Sequence, residues 1–330
     1  KPEPKKEVKP EPKKEVKPKP KKGVEKKEDF LNALLQFYNN KKITEPIPFL
    51  CSPKLNVFYY IYILKKNKND CFIVTGKNKI LAINLLLNEN NTVRGISGQY
   101  FERFKLKPLA EVVAKKYEEC KKNNKILVIP LGLPGHANMA IFNTQRNEFE
   151  RFEPYGGGFG VEIDKFLKDV LLKEINSNLP KEDQLKYVSP GQACGIGGGF
   201  QMEESIEMKT AKYNDIVVSR DDGYCCVYSL LWADFRMQNP KLSSKQVFDK
   251  VSKFVNFKTE KGKILFKQMV RGLTQLFFNE LKKFGKQNGL TDEEFEKVAE
   301  NLADGTGFGP KMEKIFNSFT GKELYNALKT

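Results

Sequence analysis

The residues best suited to catalysis are one histidine, one glutamate and one cysteine. His136 is the only histidine among the 330 residues, Glu153 follows it by seventeen positions, and Cys225 comes later in a Gly-Tyr-Cys run. A carboxylate that accepts an imidazole N–H fixes the tautomer of the ring and stabilises its protonated form. Such an imidazole activates a cysteine thiol as a nucleophile. These residue types therefore indicate thiolate catalysis, provided that the fold brings them together.

The other cysteines follow no pattern that is typical of a metal site or of a disulfide framework. Cys226 is adjacent to Cys225, and no CxxC pair occurs. The remaining four are scattered: Cys51, Cys71, Cys120 and Cys194. With a single histidine, a zinc site built on several histidines is excluded. We therefore expect no metal or organic cofactor, and we predict reduced cysteines in a reducing compartment.

A β-hairpin is predicted to place His136 beside Glu153. Residues 125–130 (KILVIP), 136–143 (HANMAIFN) and 148–153 (EFERFE) read as three successive strands. In a hairpin centred near residue 145, His136 faces residue 153 or 154, and directly opposed Cβ atoms lie roughly 4.5–5.5 Å apart. A purely structural pair on the sheet is the alternative interpretation. Asn138 is predicted on the same strand face as His136, where it either lines a cleft or pairs with a loop.

A helix is predicted to begin close to Cys225. Asp-Asp-Gly at residues 221–223 is a turn and helix-start signal, with Asp222 as the expected cap. A cysteine in the first turn of a helix has its thiolate favoured by the helix dipole and by free backbone N–H groups. The alternative is that Cys225 and Cys226 are small buried core residues. Cys226 and Cys194 are rival nucleophiles, although the glycine-rich setting of Cys194 predicts a loop.

Four segments of the chain together resemble one enzyme superfamily. They are GHANMAIFN from residue 135, ERFEPYG from residue 150, GFQMEE from residue 199 and GYC from residue 223. In this order they resemble the adenovirus-protease and SUMO-specific-protease superfamily of cysteine peptidases. More narrowly, they are similar to the members encoded by large nucleocytoplasmic DNA viruses. The similarity covers residues 125–240, and the spacing from His136 to Glu153 is that of the superfamily.

The resemblance implies a fold, a set of roles and a class of substrate. The fold would be an α+β, papain-like or adenain-like core, with a central mixed sheet and a helix that bears the nucleophile. Cys225 would be the nucleophile and His136 the general base. Glu153 would orient that base, and Gln201 would donate to the oxyanion. Substrates would be peptide or isopeptide bonds in viral structural precursors or ubiquitin-like conjugates, cleaved in the virion or the host cytoplasm.

The two ends of the chain differ from this central region. A KPEPKKEV unit occurs twice from Lys1 and a third time, as KPKPKKGV, up to Val24. This composition predicts that residues 1–28 form a disordered tail. We expect the peptidase-like domain over residues 29–240 and a helical extension over residues 241–330. In the extension, apolar residues recur at spacings of three and four, Thr291 with Glu294 predicts a capping box, and a last helix is expected over residues 312–328. Elsewhere, we predict helices over residues 30–38 and 108–120 and strands over residues 56–64 and 71–75.

The charge and hydropathy of the chain limit its partners. The net charge is +16, of which the tail supplies +6, so the folded part is itself basic and could contact nucleic acid or a capsid through its surface. The longest apolar run has eight residues, far fewer than the roughly twenty that span a bilayer, so we expect no membrane span.

The chain begins at Lys1 rather than at Met, and we expect a processed or partial product. The alternative to an enzyme is a virion structural or docking protein that keeps the peptidase fold without turnover.

Overall fold

The computed structural model describes residues 53–75, 79–97, 105–158, 160–194, 199–200, 224–303 and 307–328. These residues form a mixed α+β fold around one sheet, as predicted. The strands are β1 (Ile83–Leu87), β2 (Val93–Ser97), β3 (Leu127–Leu133), β4 (His136–Asn143), β5 (Glu148–Phe152) and β6 (Lys186–Val188). The helices are α1 (Pro53–Lys66), α2 (Leu106–Lys122), α3 (Val161–Phe166), α4 (Lys173–Ser177), α5 (Pro190–Cys194), α6 (Tyr224–Gln238), α7 (Ser244–Val255), α8 (Glu260–Gln287), α9 (Asp292–Ala303), α10 (Gly309–Asn317) and α11 (Gly321–Ala327). A π-helical turn (Leu167–Leu172) joins α3 to α4, and a 3-10 turn (Lys181–Asp183) follows α4.

The six strands form a mixed sheet in the order β2-β1-β3-β4-β5-β6. The pairs β1/β3 and β5/β6 are parallel, and the other three pairs are antiparallel. The strands β3, β4 and β5 are consecutive in the chain: a two-residue turn joins β3 to β4, and a four-residue turn closes the predicted hairpin of β4 and β5. All three predicted strands are confirmed, although β3 ends at Leu133, three residues beyond the predicted end.

One face of the sheet packs against α2 and against the helices that follow β5. Alternate residues of β3, Leu127, Ile129 and Leu131, are buried in this core. They meet Val113 and Tyr117, which lie four residues apart on the buried side of α2. The spacing of two along the strand and of four along the helix brings each apolar side chain to the same interface.

The opposite face of the sheet packs against α6 and α1. The Trp232 ring of α6 stacks on Phe152 of β5, with centroids 5.0 Å apart. The Tyr60 hydroxyl of α1 donates to the Val128 carbonyl oxygen of β3 over 2.6 Å. These contacts hold α6 across the central strands, with its amino-terminal end at the start of β4.

Two strands predicted before β1 are wrong. Residues 56–64 belong to helix α1, and residues 71–75 are extended but make only an isolated bridge between Val74 and Ile80. Every residue from Phe58 to Leu64 is buried. A segment that is buried on all sides shows neither a helical nor a strand period, so its aromatic and β-branched residues favoured the wrong element.

The predicted helices after the sheet are largely confirmed, as is the predicted helix over residues 108–120, which lies within α2. Thr291 and Glu294 make the reciprocal backbone hydrogen bonds of a capping box at the start of α9. The single helix predicted over residues 312–328 is instead two, because a second capping box, Thr320 with Glu323, starts α11. The helix predicted over residues 30–38 lies outside the described residues. The domain boundaries at residues 28 and 240 stay predictions.

Aromatic stacking joins the carboxy-terminal helices to α1. Tyr59 of α1 stacks on Phe277 of α8 with ring centroids 4.5 Å apart. Phe58, one residue earlier, contacts Phe284 of α8 and Phe316 of α10. Within the ranges that the structure describes, no helix is both long and apolar enough to cross a membrane.

Candidate active site

The hairpin of β4 and β5 brings the predicted histidine and glutamate into contact. His136 Nε2 lies 2.6 Å from Glu153 Oε1, and the Glu153 side chain is fully buried. The strands pair Met139 with Phe152, a register one or two residues away from the predicted one. His136 is therefore nearest in register to Tyr155, and the two rings stack with centroids 5.0 Å apart. The predicted proximity is confirmed, but the imidazole reaches Glu153 diagonally along the strands.

Helix α6 presents Cys225 to the start of the same strand. The Ala137 backbone N–H donates to Cys225 Sγ over 3.4 Å, and one turn later the Ser229 hydroxyl donates to the Ala137 carbonyl oxygen over 3.2 Å. Both polar groups of one residue of β4 thus hold the first two turns of α6. The predicted position of Cys225, in the first turn of a buried helix, is confirmed. There the positive end of the helix dipole faces the sulfur.

The protonation of His136 reflects both of its polar neighbours. Burial of the ring by itself lowers the pKa of His136, but hydrogen bonds to Cys225 and Glu153, with their charges, outweigh burial and raise the pKa to about 9. Because Nε2 faces Glu153, the other ring nitrogen, Nδ1, is the one available to the Cys225 sulfur. At neutral pH the imidazole is therefore protonated, with the Glu153 carboxylate at Nε2 and the Cys225 sulfur as its other polar neighbour.

A buried arginine that the sequence reasoning did not single out supports the glutamate. Arg151 Nη1 lies 3.7 Å from Glu153 Oε2 and donates to Asn138 Oδ1 over 3.1 Å. Its Nε lies 2.9 Å from Asp164 Oδ1, which also accepts a 2.5 Å hydrogen bond from the Tyr187 hydroxyl. Burial raises the pKa of Asp164, although Arg151 opposes the shift. The signal in the sequence was the spacing of two residues between Arg151 and Glu153, which places both side chains on one side of an extended chain.

Asn138 lies on the strand face that was predicted for it, beside His136. Its side chain is 2% exposed, and its amide oxygen is held by Arg151. Of the two roles predicted for Asn138, lining a cleft agrees with its place in the wall of a cavity beside α6, and pairing with a loop is replaced by pairing with an arginine on the neighbouring strand. Asn138 thus belongs to the buried polar group formed by Arg151, Glu153 and Asp164.

A second buried carboxylate fixes α6 on the sheet. Glu150 accepts hydrogen bonds from Trp232 Nε1 over 2.5 Å, from Arg236 Nε over 2.9 Å and from the Ser244 hydroxyl over 2.5 Å. Glu150, Trp232 and Arg236 are all buried. Because Glu150 and Phe152 both face α6, β5 holds the helix by a polar and by an aromatic contact, and this determines where Cys225 sits.

The other two candidate nucleophiles, Cys194 and Cys226, differ from Cys225 in their environments. Cys194 ends the short helix α5 rather than lying in the predicted loop, and burial raises the pKa of its thiol to about 12. Cys226 is disulfide-bonded, and Cys71 forms a disulfide with Cys120 across 49 residues. The prediction that the cysteines are reduced is therefore wrong for these three. Sequence spacing missed the Cys71–Cys120 pair because only the tertiary fold brings α2 against residue 71.

Two predicted site residues, Gln201 and Asp222, lie outside the described residues, so the structure places neither. Among the residues that it does describe, no group of three or more His, Cys, Asp or Glu side chains could hold a metal ion. Comparisons of the chain with families of known proteins, with curated proteins and with solved structures give no match.

Proposed function

We propose that this protein is a cysteine-type endopeptidase with Cys225 as nucleophile, His136 as general base and Glu153 as the carboxylate that orients the base. The observation that carries the proposal is the chain of contacts from Glu153 through His136 to Cys225 at the start of a buried helix. If His136 and Glu153 were only a structural ion pair, no cysteine would be needed beside them. If Cys225 were only a buried core residue, it would need neither a histidine neighbour nor a place at the start of a helix.

The proposed reaction follows from the positions of these groups. In the reactive form His136 carries the proton of Cys225, and the Cys225 thiolate attacks the carbonyl carbon of a peptide or isopeptide bond. The oxyanion that forms is stabilised by backbone N–H groups at the start of α6. His136 returns the proton to the leaving amine, and a water molecule then releases the acyl group from the sulfur. Glu153 keeps the ring oriented through both proton transfers.

The resemblance described for the sequence suggests further details of this proposal. We propose a papain-like core of the adenovirus-protease and SUMO-specific-protease type, with Gln201 as an additional donor to the oxyanion. The substrates would be viral structural precursors or ubiquitin-like conjugates, and the protein would act in the virion or in the host cytoplasm. The mixed sheet and the position of α6 are compatible with such a core.

The burial of the site favours a second candidate function. The Cys225 residue is only 6% exposed, and the His136 side chain is 9% exposed. A substrate carbonyl must reach the sulfur, so a site that stays this closed belongs to a structural or docking protein on a peptidase scaffold. The two candidates differ in whether a peptide electrophile reaches Cys225.

Thiol labelling tests the proposal directly. The purified chain is treated with iodoacetamide and, separately, with a peptide vinyl sulfone, and the label is located by intact mass and peptide mapping. We expect one rapid label at Cys225, lost in Cys225→Ala and slowed about 100-fold or more in His136→Ala, as for loss of an acid–base group. Cys194→Ala is the matched control and should label like the wild type. Slow labelling of the wild type, at a rate that His136→Ala leaves unchanged, would instead favour the structural or docking protein.

A further inference from the structure

A cavity of about 670 Å³ opens beside the proposed nucleophile. Its lining includes Ala137 and Cys226, which are the chain neighbours of His136 and Cys225, together with Ser229 on the next turn of α6. The cavity lies between the sheet and the helices α1 and α6, and its volume is in the range of sites that bind small ligands or side chains. We refer to it as the apolar cavity.

Small residues form the floor of the apolar cavity where it meets the active site. Ala137 of β4 pairs directly with Gly132 of β3, so neither strand fills the space with a large side chain. The Asn84 side chain lies over Gly132, since a Cβ atom added there would be 2.1 Å from Asn84 Oδ1. Larger side chains at these two positions would displace Asn84 or enter the cavity.

The lining of the apolar cavity is uncharged, although the chain as a whole is strongly basic. Most of the lining side chains are aliphatic, and the polar ones are amides and hydroxyls. None of the described residues that line it is Asp, Glu, Lys or Arg. Representative members are Ile80, Ala82, Leu86, Pro130, Met139 and Leu230. Such a lining stabilises an apolar side chain by removing its surface from water, and it offers no partner for a charge.

The distance to the sulfur limits which part of a substrate could occupy this space. The Ala137 backbone N–H contacts Cys225 Sγ at 3.4 Å, and the same residue lines the cavity. An extended chain advances about 3.3 Å per residue. A substrate side chain within two residues of the attacked carbonyl is therefore close enough to enter the cavity. No more distant part of the substrate is needed to fill it.

We propose that the apolar cavity is a specificity subsite, which receives a large uncharged side chain within two residues of the scissile bond on its acyl side. The inference rests on the peptidase function proposed above. Of the two kinds of substrate proposed above, it selects precursor chains with an aliphatic or aromatic residue at one of the last two positions before the cleaved bond, rather than ubiquitin-like conjugates, whose tails carry glycine at both.

Two series of N-acetyl dipeptide vinyl sulfones test the subsite. In one series the variable residue is next to the electrophile and glycine precedes it, and in the other series the order is reversed. The variable residue is Gly, Leu, Phe or Lys, and the readout is the rate of labelling at Cys225 by intact mass. In one of the two series, we expect Leu or Phe to label at least tenfold faster than Gly and Lys.

Filling the cavity separates the subsite from the reactivity of the thiol. Ala82, on the β1 side of the lining and 8% exposed, is changed to Leu, with Ala82→Val as a milder version if the larger one fails to fold. We expect the ratio of the Leu rate to the Gly rate to fall at least fivefold. Ala299→Leu, the same change in the distant helix α9, should keep the wild-type ratio.

The outcomes distinguish the subsite from the proposed enzyme. Equal or faster labelling by the glycine probe in both series, or a ratio that both Ala82 variants leave unchanged, would overturn the subsite. So would the absence of vinyl sulfone labelling when iodoacetamide still labels Cys225 rapidly and in a manner that depends on His136. If alkylation by iodoacetamide does not depend on His136, the peptidase proposal fails, and the subsite fails with it.

Discussion

Arg151 Nη1, in β5, and Glu153 Oε2, directly after the end of β5, lie 3.7 Å apart, and neither side chain is exposed. The guanidinium therefore compensates a buried carboxylate whose other oxygen, Oε1, contacts His136 and accepts the Tyr155 backbone N–H over 3.0 Å. A buried carboxylate without such a partner would be costly to keep ionised. The proposed site thus depends on an arginine that acts on the carboxylate partner of His136.

Removing this arginine should destabilise the fold and weaken the site together. We expect Arg151→Met to lower the free energy of unfolding by about 3–5 kcal/mol, because breaking a buried charge pair leaves its partner uncompensated. Urea unfolding measures this loss. Arg146→Met is the matched control, since Arg146 pairs with Glu148 at the surface over 2.9 Å and such pairs contribute about 0–1 kcal/mol. Similar losses for the two variants would contradict the role given to Arg151.

The single histidine makes its pKa directly measurable. The imidazole signals of the wild type belong to His136 alone, so an NMR titration follows one group, and we expect a pKa of about 9. Glu153→Gln removes the negative charge that holds the proton and should lower this pKa towards the ordinary value of 6.5. Cys225→Ser should lower it as well, because the sulfur is the other partner. A titration near 6.5 in the wild type would contradict the coupling of the three groups.

The raised pKa of His136 also predicts a pH dependence of stability. The folded state binds the proton more tightly than the unfolded chain, so this contribution is complete below about pH 6.5 and is lost as the pH rises through about 9. We expect the difference in unfolding free energy between the wild type and His136→Gln to shrink over this window. Chemical denaturation at pH 6 and at pH 9.5 measures it. A difference that grows with pH would reverse the sign and refute the assignment.

The sequence predicted the hairpin and the helix start because both signals are local. A run of apolar residues, 139–142, marks β4, Phe149 and Phe152 mark β5, and the turn between them predicts the register to within one or two residues. That was enough to bring His136 to Glu153. The sequence signal for the start of α6 is a glycine and two aspartates at residues 221–223, which lie outside the described ranges, followed by an apolar helix.

The rest of the site depends on contacts between segments that are distant in sequence. Glu150 meets Trp232 and Arg236, which follow it by 82 and 86 residues, and Ala137 meets Cys225 across 88 residues. Strand alternation indicates that Glu150 and Arg151 point to opposite faces, but it does not reveal that both faces are covered. Charged residues are usually exposed, so burial of both is a property of the tertiary packing.

The disulfide between Cys71 and Cys120 supplies the last prediction, because it joins the segment before β1 to helix α2. In the chain-entropy description, closing a loop of 49 residues stabilises the folded state by about 4 kcal/mol. We expect Cys71→Ala, Cys120→Ala and the double variant to lose similar amounts in urea unfolding, since each removes the same bond. Labelling of Cys225 should keep its dependence on His136 in all three. Losses that add in the double variant would show that the two thiols act separately and that the bond does not form in solution.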